Sequence, residues 1–248
     1  MINNKLIFLT STVRPSSNQF VGTIDQRKNE YIKAIKFYLA HTVLRVLIVD
    51  NSGYNFYNEI SSSERFESLS YIEESNDKGK GYGELKIMEY GFKHSKFITS
   101  CDVIVKITGR HVIKNIQELL TTSNVNKSVW CDCNLRLSFA MTYFIIGPKE
   151  FYERLFCQVD KLDDKNNIYL EHIVAELIRK YFNEGNYHEF KIPIYIQGHP
   201  GISNQEYPRP GIKRFFLIFV KYILNELRSI INQLLISLKC SMYKNGFL

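Results

Sequence analysis

The chain has 248 residues, 45% hydrophobic and 23% charged, enough apolar material for a core, which excludes a disordered segment. Its formal charge of +7 is concentrated after Pro208, where seven Lys and Arg stand against one Glu. The nearly neutral remainder excludes a nucleic-acid-binding body and leaves a tail suited to an anionic surface.

In chain order, Lys5-Leu6-Ile7-Phe8-Leu9-Thr10 reads as the first strand. A polar loop to about Asp25 follows. Arg27 to Ala40 has helical spacing, with Tyr31, Ala34, Ile35, Tyr38 and Leu39 on one side. Val43 to Val49 is a β-branched strand closed by the turn Asp50-Asn51-Ser52-Gly53. Asn58 to Phe66 is predicted helical, and Leu69 to Ile72 a short strand.

Asn76-Asp77-Lys78-Gly79-Lys80-Gly81-Tyr82-Gly83-Glu84 is a glycine-rich loop before a helix over Glu84 to Ser95. Asp102 to Thr108 is a buried strand that stops at Gly109-Arg110. A short helix follows at Ile116 to Thr122, then strands at Val129 to Cys133 and Met141 to Ile146. Pro148 opens a helix to Phe156, Ile168 to Phe182 forms another, and Ile192 to Ile196 is the last strand. Strands alternating with helices predict an α/β fold with a mostly parallel sheet. Composition and charge both shift near Tyr207-Pro208-Arg209-Pro210-Gly211, which divides a domain at 1–207 from a tail at 208–248.

In the tail, apolar residues recur at helical spacing from Phe216 to Leu238 among Lys and Arg. Its longest unbroken apolar run, Phe215 to Val220, is too short to span a bilayer. A basic amphipathic helix of this kind suits peripheral membrane attachment; the alternatives are packing on the domain or pairing in a homodimer. The five cysteines have no disulfide-framework spacing, and Cys131-Asp132-Cys133 lacks the second ligand pair of a zinc site. Reduced thiols and a start without signal-peptide character predict a cytoplasmic location.

Ligands of parallel sheets bind at the carboxyl edge, so the polar strand ends are the candidate site. They are Thr10-Ser11-Thr12, Asp50-Asn51-Ser52 and Thr108-Gly109-Arg110. Asp50 either accepts from a ribose or base or simply forms an Asx turn. The glycine-rich loop either lets amides approach phosphate beside Lys78 and Lys80 or is a plain connection.

The order strand-T-S-T, Arg27, strand-V-D-N-S, N-D-K-G-K-G-Y-G-E, D-V-I-V-K-I-T-G-R and Y-L-E-H resembles bacterial glycosyltransferases of the GT-A fold that build O-antigens and capsules, over about Lys5 to Tyr207. The resemblance implies a GT-A-like sheet flanked by helices. It also implies transfer from a nucleotide sugar, a UDP-sugar favoured, to a lipid-linked glycan at the cytoplasmic membrane face. It assigns Thr10, Ser11, Arg27, Asp50, Lys80, Gly81 and Gly83 to the donor and Glu171 as the base of an inverting reaction. His172 competes with Glu171 for that role. Gly198 to Ser203, with His199, resembles the loop that covers the diphosphate.

The departure is at Thr108-Gly109-Arg110, where the family's aspartate pair would chelate Mg²⁺ or Mn²⁺. Neither side chain there suits a divalent cation. Arg110 would then balance the leaving diphosphate, with Lys106, Thr108, Lys114 or His199 beside it. Other roles for Arg110 are orienting an acceptor sugar or pairing with Asp102 or Glu84. Asp132 is the candidate acceptor contact, or a displaced metal ligand that would leave a metal in play. Two other readings compete, a sugar nucleotidyltransferase and a non-catalytic membrane-bound scaffold. The first expects a glycine-rich loop straight after the first strand, where this chain has Thr10-Ser11-Thr12.

Overall fold

The computed structural model describes residues 4–15, 22–60, 63–73, 78–123, 127–199, 206–213, 215–224, 227 and 230–231. Its elements are β1 (Lys5–Ser11), α1 (Ile24–His41), β2 (Arg45–Asp50), β3 (Phe66–Ser70), α2 (Lys80–His94), β4 (Val103–Thr108), β5 (Val112–Ile113) and α3 (Ile116–Thr122). They continue with β6 (Val129–Cys133), β7 (Ala140–Pro148), α4 (Lys149–Phe156), α5 (Leu170–Asn183), β8 (Tyr187–His188) and β9 (Ile196–Gln197).

Seven strands form one sheet in the order β3-β2-β1-β4-β7-β6-β8. All run the same way except β7, which is antiparallel to β4 and β6. This is an α/β fold with a mostly parallel sheet. Both faces are covered, as the continuous apolar runs of β1, β2 and β4 require. Leu6, Phe8, Leu47, Val49 and Ile104 face α2, α4 and α5, which contribute Leu85, Met88, Phe151, Tyr152, Leu170 and Val174. Ile7, Leu9, Val46, Ile48, Val105 and Ile107 face α1 and α3, which contribute Tyr31, Ile35, Ile116 and Leu119.

Three elements differ from the sequence reading. The described residues of 58–66 do not form an α-helix: a single tight turn at Phe56–Asn58 buries Phe56, and β3 already begins at Phe66. Among the described residues between these two aromatics only Ile60 is buried, too little for the apolar stripe of a helix. The second helix starts at Lys80 rather than Glu84, so most of the glycine-rich loop is its first turn. Ile192 to Ile196 contributes only the start of β9, which pairs with β5 in a separate two-stranded sheet.

Candidate functional site

The sheet's carboxyl edge is organised first by Asp50. Its Oδ2 accepts from the Val13 amide at 2.9 Å. Its Oδ1 accepts from the Ser52 amide at 2.8 Å, the Ser52 hydroxyl at 2.6 Å and the Tyr54 amide at 3.0 Å. With full burial and four internal donors, Asp50 is an Asx-turn residue that shapes the loops after β1 and β2. Ser11 is likewise turned inward, donating to Val49 O at 3.0 Å. Arg27, one turn into α1, donates through Nε to Thr12 O at 2.5 Å and lies over the Tyr31 ring.

The start of α2 has its own anion. Gly79, at φ +99°, precedes the helix, and Asp164 Oδ2 accepts from the Lys80 amide at 2.8 Å. A side chain on Gly79 would put its Cβ 2.0 Å from that carboxylate, and one on Gly81 would put it 2.9 Å from the Leu170 Cβ. The glycines therefore let α2 approach Asp164 and the start of α5, and Lys80 points out to solvent.

A continuous polar network crosses the edge from β1 to α5. Glu84 Oε1 accepts from Thr10 Oγ1 at 3.0 Å and pairs with Lys106 Nζ at 2.6 Å. Lys106 Nζ also donates to the Thr142 carbonyl, and Thr142 Oγ1 donates to Glu171 Oε1 at 3.0 Å. Lys106 is 1% exposed beside Ile104 on one face of β4, a position that only its two partners make tolerable. Three of the residues singled out in the sequence, Thr10, Lys106 and Glu171, are thus joined by Glu84, the last residue of the glycine-rich stretch, and by Thr142, which the sequence does not single out. His172, the competing base, is instead part of the helix start: its Nδ1 accepts from the Tyr169 amide at 3.2 Å.

Arg110 lies on the far side of the β4 end. Gly109 makes the approach close, because a Cβ there would sit 2.6 Å from Thr10 O. The chain beyond is stapled by Tyr38, whose hydroxyl donates to His111 O at 2.8 Å and accepts from the Ile113 amide at 2.9 Å. Arg110 Nη1 is 3.1 Å from Glu30 Oε2, and His199 Nδ1 is 3.3 Å from Glu30 Oε1. The ion-pair partner is therefore Glu30 of α1, not Asp102 or Glu84. Asp102 lies at the opposite end of β4, bonded by Asn4, and Glu84 is engaged by Lys106. His199 reaches this point because His111 Nε2 contacts the His199 carbonyl at 3.2 Å and the Tyr207 ring packs edge-on against His111. Burial pushes the His111 imidazole down to about 4, with Arg110 and Lys106 adding to the effect. The rest of the Gly198 to Ser203 stretch, from Pro200, lies outside the described residues, while Lys114 points its ammonium over the Phe37 ring.

These residues do not fit a divalent cation. The end of β4 offers one Thr hydroxyl and a guanidinium, and the carboxylate drawn to it is bound to Arg110 and His199. Among the described residues, no three His, Cys, Asp or Glu side chains are grouped as metal ligands.

Asp132 stands in a third cluster. Its Oδ1 is 2.7 Å from Lys221 Nζ, which also lies 3.4 Å from Glu189 Oε2 and donates to Cys133 O. Burial raises the Glu189 carboxyl to about 7, against the opposing pull of Lys221. The Lys221 ammonium is held above its ordinary value by the two carboxylates, which outweigh its own desolvation. A tail lysine thus docks the tail helix on the ends of β6 and β8. The other described faces of that helix expose Phe215, Phe216, Phe219, Ile223, Leu227 and Ile230. No helix among the described residues is long and apolar enough to cross a membrane. Residues 232–248, including Cys240, Lys239 and Lys244, lie outside the description.

A wide cleft also opens at the sheet's opposite edge, lined by Lys5, Asp102, Lys149, Glu150 and Arg154 among others. It contains none of the residues assigned to the donor or to catalysis.

The sequence reading missed Glu30, Thr142, Glu189 and the docking role of Lys221. Only Glu30 had a local signal: it follows Arg27 by three positions, so both share one side of α1.

The fold and its edge define an α/β protein whose mostly parallel sheet gathers charged groups at the carboxyl ends of β1 and β4. No known family model and no curated protein sequence matches the chain. Among solved structures, it is similar to a protein of Desulfovibrio desulfuricans G20 provisionally named a nucleotide-diphospho-sugar transferase. The two share 14% identity over 72% of this chain and 76% of the other, at a TM-score of 0.43.

Proposed function

We propose that the protein is an inverting glycosyltransferase. It transfers a sugar from a nucleotide-sugar donor, a UDP-sugar by preference, to a lipid-linked glycan in surface-polysaccharide assembly. One observation carries this reading. Polar side chains from separate elements gather at the carboxyl edge: Glu171 of α5 meets Thr142 of β7, and Arg110 and His199 meet Glu30 of α1 beside the end of β4. In the reaction, Glu171 takes the proton of the acceptor hydroxyl. That oxygen forms a bond to the anomeric carbon as the bond to the diphosphate oxygen breaks. The electron pair leaves with the nucleoside diphosphate. Arg110, with five N–H donors, and His199 balance the new charge without a metal. Thr10, Arg27 and Thr108 line the donor side, and Asp50 and Ser11 act there by fixing the loop backbone. Residues 1–207 form the catalytic domain, and the tail at 208–248 holds it at the inner membrane face, near a lipid-linked acceptor.

The test is calorimetric titration with UDP, GDP, CMP and dTDP, with and without EDTA. Tight binding of one nucleotide, unchanged by EDTA and lost in Arg110→Ala, is expected. Binding that requires added Mn²⁺ overturns the metal-free role of Arg110. Full transfer activity in a folded Glu171→Gln variant removes Glu171 as the base.

A non-catalytic scaffold is the second reading, favoured by the carboxylate of Glu30 on Arg110 and His199. Nucleotide binding without donor hydrolysis or transfer would select it.

A further inference from the structure

Lys106 has no role in the reaction as drawn, yet its setting is unusual. It occupies a central strand and is 1% exposed, on the face of β4 where Ile104, two positions before it, packs with Leu85 and Met88 of α2. If the strand needed only to pack on α2, an apolar side chain would serve at no electrostatic cost. Replacing a buried ion pair by well-packed apolar groups is often neutral or stabilising. The two bonds of Lys106 instead run along the carboxyl edge, one to each side of β4. Glu84 Oε1, 2.6 Å away, takes the ammonium on the β1 side and is shared with Thr10 Oγ1 at 3.0 Å. The Thr142 carbonyl takes it on the β7 side. Thr142 then presents its hydroxyl to Glu171 Oε1 at 3.0 Å.

We propose that Lys106 is a positioning residue for Glu171: by holding the Thr142 carbonyl it fixes the hydroxyl that orients the Glu171 carboxylate, and through Glu84 it ties that carboxylate to the Thr10 end of β1. This rests on the reading of Glu171 as the base. Lys106 touches neither substrate in this scheme. Its fork sets the distance between the donor side of the edge and the base, and a shift of about 1 Å in such a distance can cost on the order of a hundredfold in rate. A fixed Glu171 also has one oxygen committed to Thr142 and the other left to accept the acceptor's proton.

The experiment uses the full chain with the donor identified by titration. It compares kcat and donor KM in Lys106→Met, Thr142→Val, Thr142→Ser and the Lys106→Met/Thr142→Val pair. Both single substitutions are expected to lower kcat roughly ten- to a hundredfold with donor KM within about twofold. The pair is expected to be no worse than the more severe single change, because both act on one path. Thr142→Ser, which keeps the hydroxyl, is expected to restore most of kcat. Unchanged kcat in folded Lys106→Met overturns the proposal, as do multiplying losses in the pair or a loss confined to KM. If Lys106→Met does not fold, Glu84→Gln and the Thr142 pair decide the matter. Equal activity of Thr142→Val and Thr142→Ser then overturns it. Full activity of Glu171→Gln fails the base assignment itself, whereas a required Glu171 beside an indifferent Lys106 fails only this inference.

Discussion

Lys106 Nζ lies 2.6 Å from Glu84 Oε1, with the lysine all but sealed from solvent and the glutamate 22% exposed. The pair joins α2 to the central strand at the point where the sheet meets its candidate ligand. Removing one partner strands the other, a loss of about 3–5 kcal/mol when both are fully buried. Partial exposure of Glu84 puts Lys106→Met near or below the lower end of that range. Glu84→Gln/Lys106→Met, which strands no charge, is expected to regain much of the loss. Urea unfolding of the three proteins checks this. A double variant no more stable than Lys106→Met would mean that the ion pair is not what the lysine contributes.

Gly109 is the hinge between the strand and Arg110. Its amide donates to Thr10 O at 3.0 Å, and a Cβ would come within 2.6 Å of that same oxygen and 3.1 Å of the Tyr31 ring. Backbone cannot rotate away as a side chain can. Gly109→Ala is expected to cost about 1–3 kcal/mol, as overpacking does, and to displace Arg110 from Glu30. Chemical denaturation measures the first effect. Weaker nucleotide binding than in a surface glycine variant such as Gly211→Ala, where a Cβ meets nothing within 4 Å, measures the second.

The fold was more legible in the sequence than the site. Apolar runs such as Val103-Ile104-Val105 and the amphipathic stretch from Leu170 to Tyr181 state their own period, so the alternation of strands and helices follows directly. The stretch from Asn58 to Phe66 misled because, among its described residues, Ile60 and Phe66 pack with the preceding Phe56 without a repeating helical face. The glycines before Glu84 suggested a phosphate loop, since spacing cannot reveal that Asp164, more than eighty positions later, fills the helix start. Site partners are the least legible of all. Glu30 meets Arg110 across 80 positions and Thr142 meets Glu171 across 29, and neither pairing leaves a local pattern.

His111 makes stability depend on pH. Its ordinary value is 6.5, and burial lowers it to about 4, so the folded state prefers the neutral ring. Arg110 and Lys106 act in the same direction, while Glu84 and the His199 carbonyl oppose them. The contribution is fully present above pH 6.5 and is lost progressively as pH falls from 6.5 toward 4. Its full size is about 3 kcal/mol. Unfolding midpoints measured at pH 7.5 and 4.5 are expected to differ accordingly, with the slope reduced in His111→Gln. An unchanged slope in that variant would assign the acid sensitivity to other groups.

Lys221 turns one side of the tail helix onto Asp132 and Glu189 and leaves the opposite sides apolar and open. Phe216 is 69% exposed and Phe219 58% exposed, in a segment whose sequence is rich in Lys and Arg. Burial of one Phe side chain is worth about 1.5–3 kcal/mol, and basic residues near an anionic surface add about 1 kcal/mol each. The protein is therefore expected to sediment with vesicles containing phosphatidylserine or cardiolipin and much less with neutral phosphatidylcholine. Added salt weakens the attraction, and Phe216→Ser/Phe219→Ser is expected to reduce partitioning at least tenfold with the domain still folded. Lys221→Met tests the docking itself: it should loosen the tail from β6 and β8 and change the emission of Trp130, the single tryptophan, which packs beside His188 next to Glu189. If vesicles do not bind and the same Phe substitutions instead abolish a concentration-dependent dimer in sedimentation velocity, the apolar side of the helix meets a second copy of the chain, not lipid.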